Sequence, residues 1–117
     1  MVDNNSKKKI EGGIETMNEY HHISEYEKTL NAHEHKLKEL ADLLDFFETK
    51  ELAFKKLMDY YMSNQRMQDL VDDEQGLIPP TLPRGVLSED AIYNLYSDYR
   101  EQSLRMLTIS TNFFKNN

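Results

Sequence analysis

The feature that most constrains the fold is a segment that cannot be helical, residues 77–87, followed at once by a strong helix start. All three prolines of the chain, Pro79, Pro80 and Pro83, lie in this segment. Proline lacks the backbone donor that a helix needs, and it pushes the preceding residue toward extended geometry. The segment therefore predicts a connector between helices. It constrains the architecture but points to no chemistry.

The helix after the connector has a marked start in the sequence. Ser88 is predicted to be its N-cap, because a serine oxygen can accept a hydrogen bond from a first-turn amide. Glu89 and Asp90 follow at positions where the helix dipole favours negative charge. Leu87 and Ile92 have the spacing of a hydrophobic staple. Apolar side chains then recur at helical spacing: Ile92, Leu95, Tyr99, Met106, Ile109 and Phe113.

The first half of the chain carries a heptad pattern, which we call the α1 seam. Its members are Ile23, Tyr26, Leu30, His33, Leu37, Leu40, Leu44 and Phe47. Alternating spacings of three and four, sustained over more than three repeats, are typical of a coiled-coil helix. At His33 we expect a buried, hydrogen-bonded imidazole, and a pH-sensitive contact is the alternative.

Between the two long helices the sequence predicts two shorter ones. Thr49 is suited to cap the first of them. A continuous first helix that runs to about Tyr61 is the alternative. Ser63 or Asn64 then caps a short helix, and Gly76 ends it.

Composition limits the domain organisation and the classes of partner. A chain of 117 residues predicts one helical domain, residues 14–117, after a polar arm, residues 1–13, that we expect to be disordered. A net charge of −7 disfavours nucleic acid as a partner. The chain has no cysteine, which excludes disulfides and suits the cytoplasm. Its apolar runs are too short to span a membrane, so no membrane partner is expected.

Two motifs, DDEQGLIP at residues 72–79 and LPRGVLSEDAIYNL at residues 82–95, carry a family resemblance, together with the preceding Tyr60-Tyr61. The chain resembles the domain of unknown function family 4298 over roughly residues 20–107. The resemblance implies a small all-helical bacterial protein, and it implies no activity. Two positions depart from the family pattern. Met62 stands where a glycine is usual, and Arg66 stands where a tryptophan is common.

Three consecutive acids, Asp72, Asp73 and Glu74, form the most unusual charged cluster. They lie near a predicted helix C-terminus, where negative charge opposes the helix dipole. We expect Arg84, which precedes Gly85 in the second motif, to compensate them through an ion pair that clamps the connector. A cation site and an acidic partner-binding edge are the alternatives, although the run lacks the ligand spacing of a calcium loop.

Other candidate sites are weaker. Tyr93, Tyr96 and Tyr99 could face a planar ligand between helices, but core packing with surface hydroxyls is the favoured interpretation. The four histidines include no His-x-x-x-His pair, so no metal site is predicted. No nucleophile elbow, phosphate loop or dinucleotide fingerprint occurs. The sequence therefore predicts no catalytic residue and no cofactor.

Together these patterns predict an all-α fold, a small antiparallel bundle of three to four helices with two long helices and a Pro-rich connector. The favoured function is a non-enzymatic helical protein-interaction module with an unknown protein partner. The alternative is a small-molecule-binding or enzymatic bundle that uses a tyrosine-rich interior. A homodimer is a further expectation, because Leu43 and Phe46 widen the apolar face of the first helix beyond its seam.

Overall fold

A computed structural model of the chain describes residues 19–117, and all the regular structure in this range is helical. The helices are α1 (His21–Thr49), α2 (Glu51–Tyr61), α3 (Asn64–Glu74) and α4 (Ala91–Asn116), with one 3-10 turn at Gly85–Leu87. No strand occurs between residues 19 and 117. The all-α fold class is thus confirmed. The arm predicted at residues 1–13 lies outside the described residues.

The chain divides into two compact units at the junction between α1 and α2. The first unit ends at Thr49, and the second runs from Lys50 to Asn117. The predicted break near Thr49 is therefore present. Thr49 is not its cap, because Lys50 holds the N-cap position of α2 and makes no side-chain cap bond. The single domain, and the antiparallel packing of α1 against α4, stay predictions.

Helix α1 is amphipathic, and it buries none of its side chains. The apolar members of the α1 seam are between 36% and 71% exposed. His33 was predicted to be buried, but it is exposed. Its Nδ1 does donate to the Thr29 carbonyl oxygen at 2.8 Å. The burial prediction was wrong because no other helix described in the first unit covers this face. None of the helices between residues 19 and 117 is long and apolar enough to cross a membrane.

The second unit is organised around α2, which contacts both α3 and α4. The rings of Phe54 and Tyr99 join α2 to α4, with their centroids 4.7 Å apart. The 3-10 turn contacts α3 and α4. Within residues 19–117 only Ile92 is buried, at 3% exposure. The hydrophobic core of this unit is therefore thin, and polar contacts have a large share in holding its segments together.

Candidate functional site

The end of α3 sets the direction of the connector. Gly76 has a φ of 73°, in the left-handed region that favours glycine. Its amide donates to the Asp73 carbonyl at 3.1 Å, and the Leu77 amide donates to the Asp72 carbonyl at 2.9 Å. These two bonds form a Schellman cap. Gly76 thus terminates α3, as the sequence predicts.

Arg84 ties the connector back to the acidic end of α3. Its Nη1 lies 3.2 Å from Oδ1 of Asp73, and both side chains are about one third exposed, at 34% and 35%. The same nitrogen donates to the Ile78 carbonyl at 3.4 Å. The Asp72 carboxylate instead accepts from the side-chain amide of Gln68 at 2.9 Å. Of the acidic run, Asp73 is the residue that pairs with Arg84, while Glu74 is exposed.

Arg66 links α3 to the segment before α4, a role that no sequence pattern predicts. Its Nε donates to the Val86 carbonyl at 3.2 Å, and its Nη2 donates to the Ser88 carbonyl at 3.1 Å. Its guanidinium carbon lies 4.8 Å from the centroid of the Tyr61 ring, within cation–π distance.

Ser88 does not cap the last helix, contrary to the sequence prediction. Helix α4 begins at Ala91, and its N-cap position is Asp90, which makes no side-chain cap bond. The Ser88 hydroxyl donates to the Gly85 carbonyl at 2.8 Å and so closes the 3-10 turn. A serine hydroxyl can bond to a nearby backbone carbonyl instead of capping a helix, and the Ser88 hydroxyl does so in this turn. Glu89 therefore precedes the helix rather than lying in its first turn.

The corner between α2 and α3 is closed by a small hydrogen-bond network. Ser63 is the N-cap of α3, and its Oγ accepts from the Arg66 amide at 3.1 Å. The same hydroxyl donates to the Tyr60 carbonyl at 2.6 Å. The Tyr60 phenol donates to Oδ2 of Asp69 at 2.6 Å, and the side-chain amide of Gln65 donates to Oδ1 at 2.8 Å. The carboxylate thus accepts a bond at each oxygen.

These bonds shift two pKa values. The hydrogen bond from Tyr60 lowers the pKa of Asp69, and the bond from Gln65 adds to the effect. The bond to Asp69 raises the pKa of Tyr60, with burial as the second cause. Both pKa values move away from neutral pH, whereas a general acid or base works best with a pKa near the operating pH. The pair therefore orders the corner and is poorly suited to proton transfer.

A groove of about 310 Å³ runs between the connector and α3. Its apolar wall is formed by Leu77, Ile78, Pro79, Leu82, Pro83, Val86 and Leu87. Its polar side chains are Tyr60, Asp69, Asp72 and Arg84. Each of these four already makes a hydrogen bond or ion pair within the chain. The groove is thus a gap between packed segments, and its polar side chains already bond within the chain.

The family of the chain is shown by a match over most of its length. The family described as Domain of unknown function (DUF4298) matches residues 23–109, which confirms the resemblance. The chain belongs to the DUF4298 family. No curated protein matches it, and no solved structure does. The matched region of this DUF4298 protein includes the whole α1 seam and the corner of the second unit between α2 and α3.

The three tyrosines of α4 do not share one environment in this DUF4298 protein. Tyr93 and Tyr96 are 59% and 49% exposed, whereas Tyr99 is half-buried against Phe54. Tyr61 lies under the Arg66 guanidinium. Across the described part of the chain, no group of three or more His, Cys, Asp or Glu side chains could hold a metal ion. The exposed apolar face of α1 therefore remains as the candidate functional surface.

Proposed function

We propose that this DUF4298 protein is a non-enzymatic helical protein-interaction module, and that the α1 seam is its binding surface. The observation that carries the proposal is the exposure of the seam. α1 has no buried residue, and the apolar seam side chains are 36% to 71% exposed. Continuous apolar surface on a water-soluble helix generally marks a site where another protein binds.

The length and spacing of the seam suit a helical partner. From Ile23 to Phe47 it extends roughly 36 Å, at 1.5 Å per helical residue. Anchors at spacings of three, four and seven residues are how an amphipathic helix engages a groove or another helix. A non-enzymatic role is supported by the second unit, where the polar side chains that line the connector groove make contacts within the chain.

We also propose a bacterial, cytoplasmic setting. The family resemblance implies a bacterial source, and a sequence without cysteine suits a reducing compartment. The net charge of −7 favours a protein partner over nucleic acid, because a phosphate backbone would be repelled.

Site-specific photo-crosslinking in the native host tests the proposed surface. A benzophenone amino acid is introduced at Leu37, a seam position that is 61% exposed, and in a matched protein at Asp42 on the opposite face of α1. We expect a discrete protein adduct from Leu37 and none from Asp42. Equal labelling at both positions, or no adduct at Leu37 in a folded protein, would contradict the proposal. The mass of the adduct identifies the partner.

A further inference from the structure

The α1 seam has a spacing that few surfaces can match along its full length. In heptad notation, Ile23, Leu30, Leu37 and Leu44 occupy position a, and Tyr26, His33, Leu40 and Phe47 occupy position d. A strict repeat of seven stays in contact only with a partner that supercoils with the same period. We propose, on the basis of the proposed function, that the partner is the α1 seam of a second copy of this chain, in a parallel, in-register coiled coil.

Helix α4 is the other element with heptad spacing, but its exposed seam is interrupted. Ile92 is buried at 3% exposure, and Tyr99 packs on Phe54. The exposed seam residues of α4 are Leu95, Met106, Ile109 and Phe113, and between Leu95 and Met106 lie the half-buried Tyr99 and the polar Gln102. The continuous exposed stretch from Met106 to Phe113 is one heptad long, whereas the α1 seam spans more than three. The exposed stretch of an α4 helix is therefore too short to match the α1 seam over its whole length, whereas a second α1 can.

The charges beside the seam favour the parallel orientation. An antiparallel pair centred on the seam would bring Glu34 near its own copy and Lys36 near its own copy, and like charges at such positions are destabilising. In a parallel pair each g position faces the e position of the following heptad. The facing pairs are then His22 with Glu27, Thr29 with Glu34, Lys36 with Ala41, and Leu43 with Glu48. None of these pairs brings like charges together.

The polar position in the seam fixes the register. In a parallel, in-register pair the two His33 rings lie in one layer. A shift by one heptad would place His33 against Tyr26 or Leu40 of the other copy. A single polar residue at a coiled-coil core position specifies register at a cost in stability. Nδ1 of His33 is already bonded to the Thr29 carbonyl, so the ring orientation is held by its own helix.

Single cysteines test the arrangement directly, because the natural chain has none. Leu40→Cys places a thiol at position d, and Asp42→Cys places one at the outer position f as the matched control. Under mild oxidation of the full-length protein, we expect Leu40→Cys to form an interchain disulfide roughly tenfold faster than Asp42→Cys, since only position d brings the two copies within disulfide distance. Equal rates would overturn the proposal. A mixture of Leu30→Cys and Leu40→Cys that gives mainly the mixed disulfide would overturn the parallel orientation.

A second variant tests the register without a new crosslink. We expect His33→Leu to lower the dimer Kd roughly tenfold, because it replaces the polar layer with an apolar one. An unchanged Kd would show that His33 is not in the interface and would overturn the register.

The mass of the natural chain in solution tests the dimer itself. If sedimentation equilibrium gives a mass of 13.8 kDa up to high micromolar concentration, the protein is a monomer and the inference is overturned. The proposed function would still stand if Leu37 crosslinks to another protein, and both would fail if it crosslinks to none.

Discussion

Arg66 holds the segment before α4 by two hydrogen bonds, to the carbonyls of Val86 in the 3-10 turn and of Ser88 after it. Arg66→Met keeps the aliphatic length and removes both donors. We expect the free energy of unfolding to fall by about 1.5–3 kcal/mol, the range for hydrogen bonds from charged groups. Urea unfolding measures it. The matched control is Arg105→Met, because the Arg105 guanidinium donates to Gln102 one turn away in the same helix. A loss of similar size in that variant would contradict the assignment.

Ser63 and Ser88 have different hydroxyl partners, so replacing each in turn compares the contribution of a helix cap with that of a turn contact. Ser63 accepts from the Arg66 amide at the start of α3, whereas Ser88 donates to the Gly85 carbonyl. We expect Ser63→Ala to cost about 1 kcal/mol, as the loss of an N-cap does. Ser88→Ala should cost about 0.5 kcal/mol or less, typical of an exposed site. Equal denaturation midpoints for the two variants would show that the caps are wrongly assigned.

The Tyr60–Asp69 contact makes stability depend on pH at both extremes. The pKa of Asp69 is lowered in the folded protein, so its contribution is present above the unfolded pKa and is lost as the pH falls through the folded pKa. The pKa of Tyr60 is raised, so its contribution is present below the unfolded pKa and is lost as the pH rises through the folded pKa.

Tyr60→Phe should therefore lower stability by a constant amount at intermediate pH. We expect the difference from the natural chain to shrink below pH ~4 and above pH ~10, the usual values for Asp and Tyr. Unfolding in urea across the pH range gives the difference directly. A difference that stays constant down to pH 2 would show that the contact does not govern the titration of Asp69.

Residues whose role is local are predictable from the sequence, whereas those that act across the chain are not. The glycine end of α3 and the pairing partner for its acids follow from helix geometry within a dozen residues. Arg66 bonds to carbonyls 20 and 22 residues away, and Tyr60 bonds to an acid nine residues away across a helix junction. No helical or strand periodicity encodes such distances. They are set by how α2, α3 and the connector pack.

At the scale of elements, the two glycines of the connector region have different backbone requirements. Gly76 has a φ of 73°, and the space that a Cβ would occupy is open, so a side chain there meets backbone strain and no clash. Gly85 has no such positive φ, and it also has open space. We expect Gly76→Ala to cost about 1–2 kcal/mol, the penalty of the left-handed conformation for an L-residue.

Gly85→Ala is the matched control for that variant. It should be neutral or stabilise the chain by up to about 1 kcal/mol, because alanine restricts the unfolded chain. Thermal or urea unfolding of both variants makes the comparison. If Gly76→Ala were as stable as Gly85→Ala, the Schellman end of α3 would not be the constraint that directs the connector.

Helix boundaries are predictable where one signal acts alone. Ser63 starts α3 and Gly76 ends it, as their cap preferences predict. The predicted start of α4 is too early, because Ser88 can serve either a helix or the 3-10 turn before it, and the turn prevails. The break near Thr49 is present as predicted, but the cap is not, because Lys50 holds the N-cap position of α2 and makes no side-chain cap bond.

At the scale of the whole molecule, apolar burial is scarce in the described part of the chain. Ile92 alone is buried between residues 19 and 117, while Leu107, Ile109 and Phe114 of α4 are each at least 65% exposed. Burial of apolar area is the main favourable term in folding. A chain with a thin core therefore gains stability from whatever covers its exposed faces. The α1 seam is the longest of these faces, so the partner that we propose for it would also add to stability.

A dimer formed through α1 makes stability depend on protein concentration. A partner that binds only the folded state raises the melting temperature by mass action. We expect Leu43→Asp to remove this concentration dependence and give a folded monomer, because residue 43 is 57% exposed beside the seam and would face Glu48 of the other copy. Ala32→Asp adds the same charge away from the seam, and it should leave the dimer intact. Circular dichroism and sedimentation of the two variants decide the matter. Loss of helix in Leu43→Asp would show that the Leu43 side chain packs inside the fold. An unaltered dimer would show that this flank of α1 is not part of the interface.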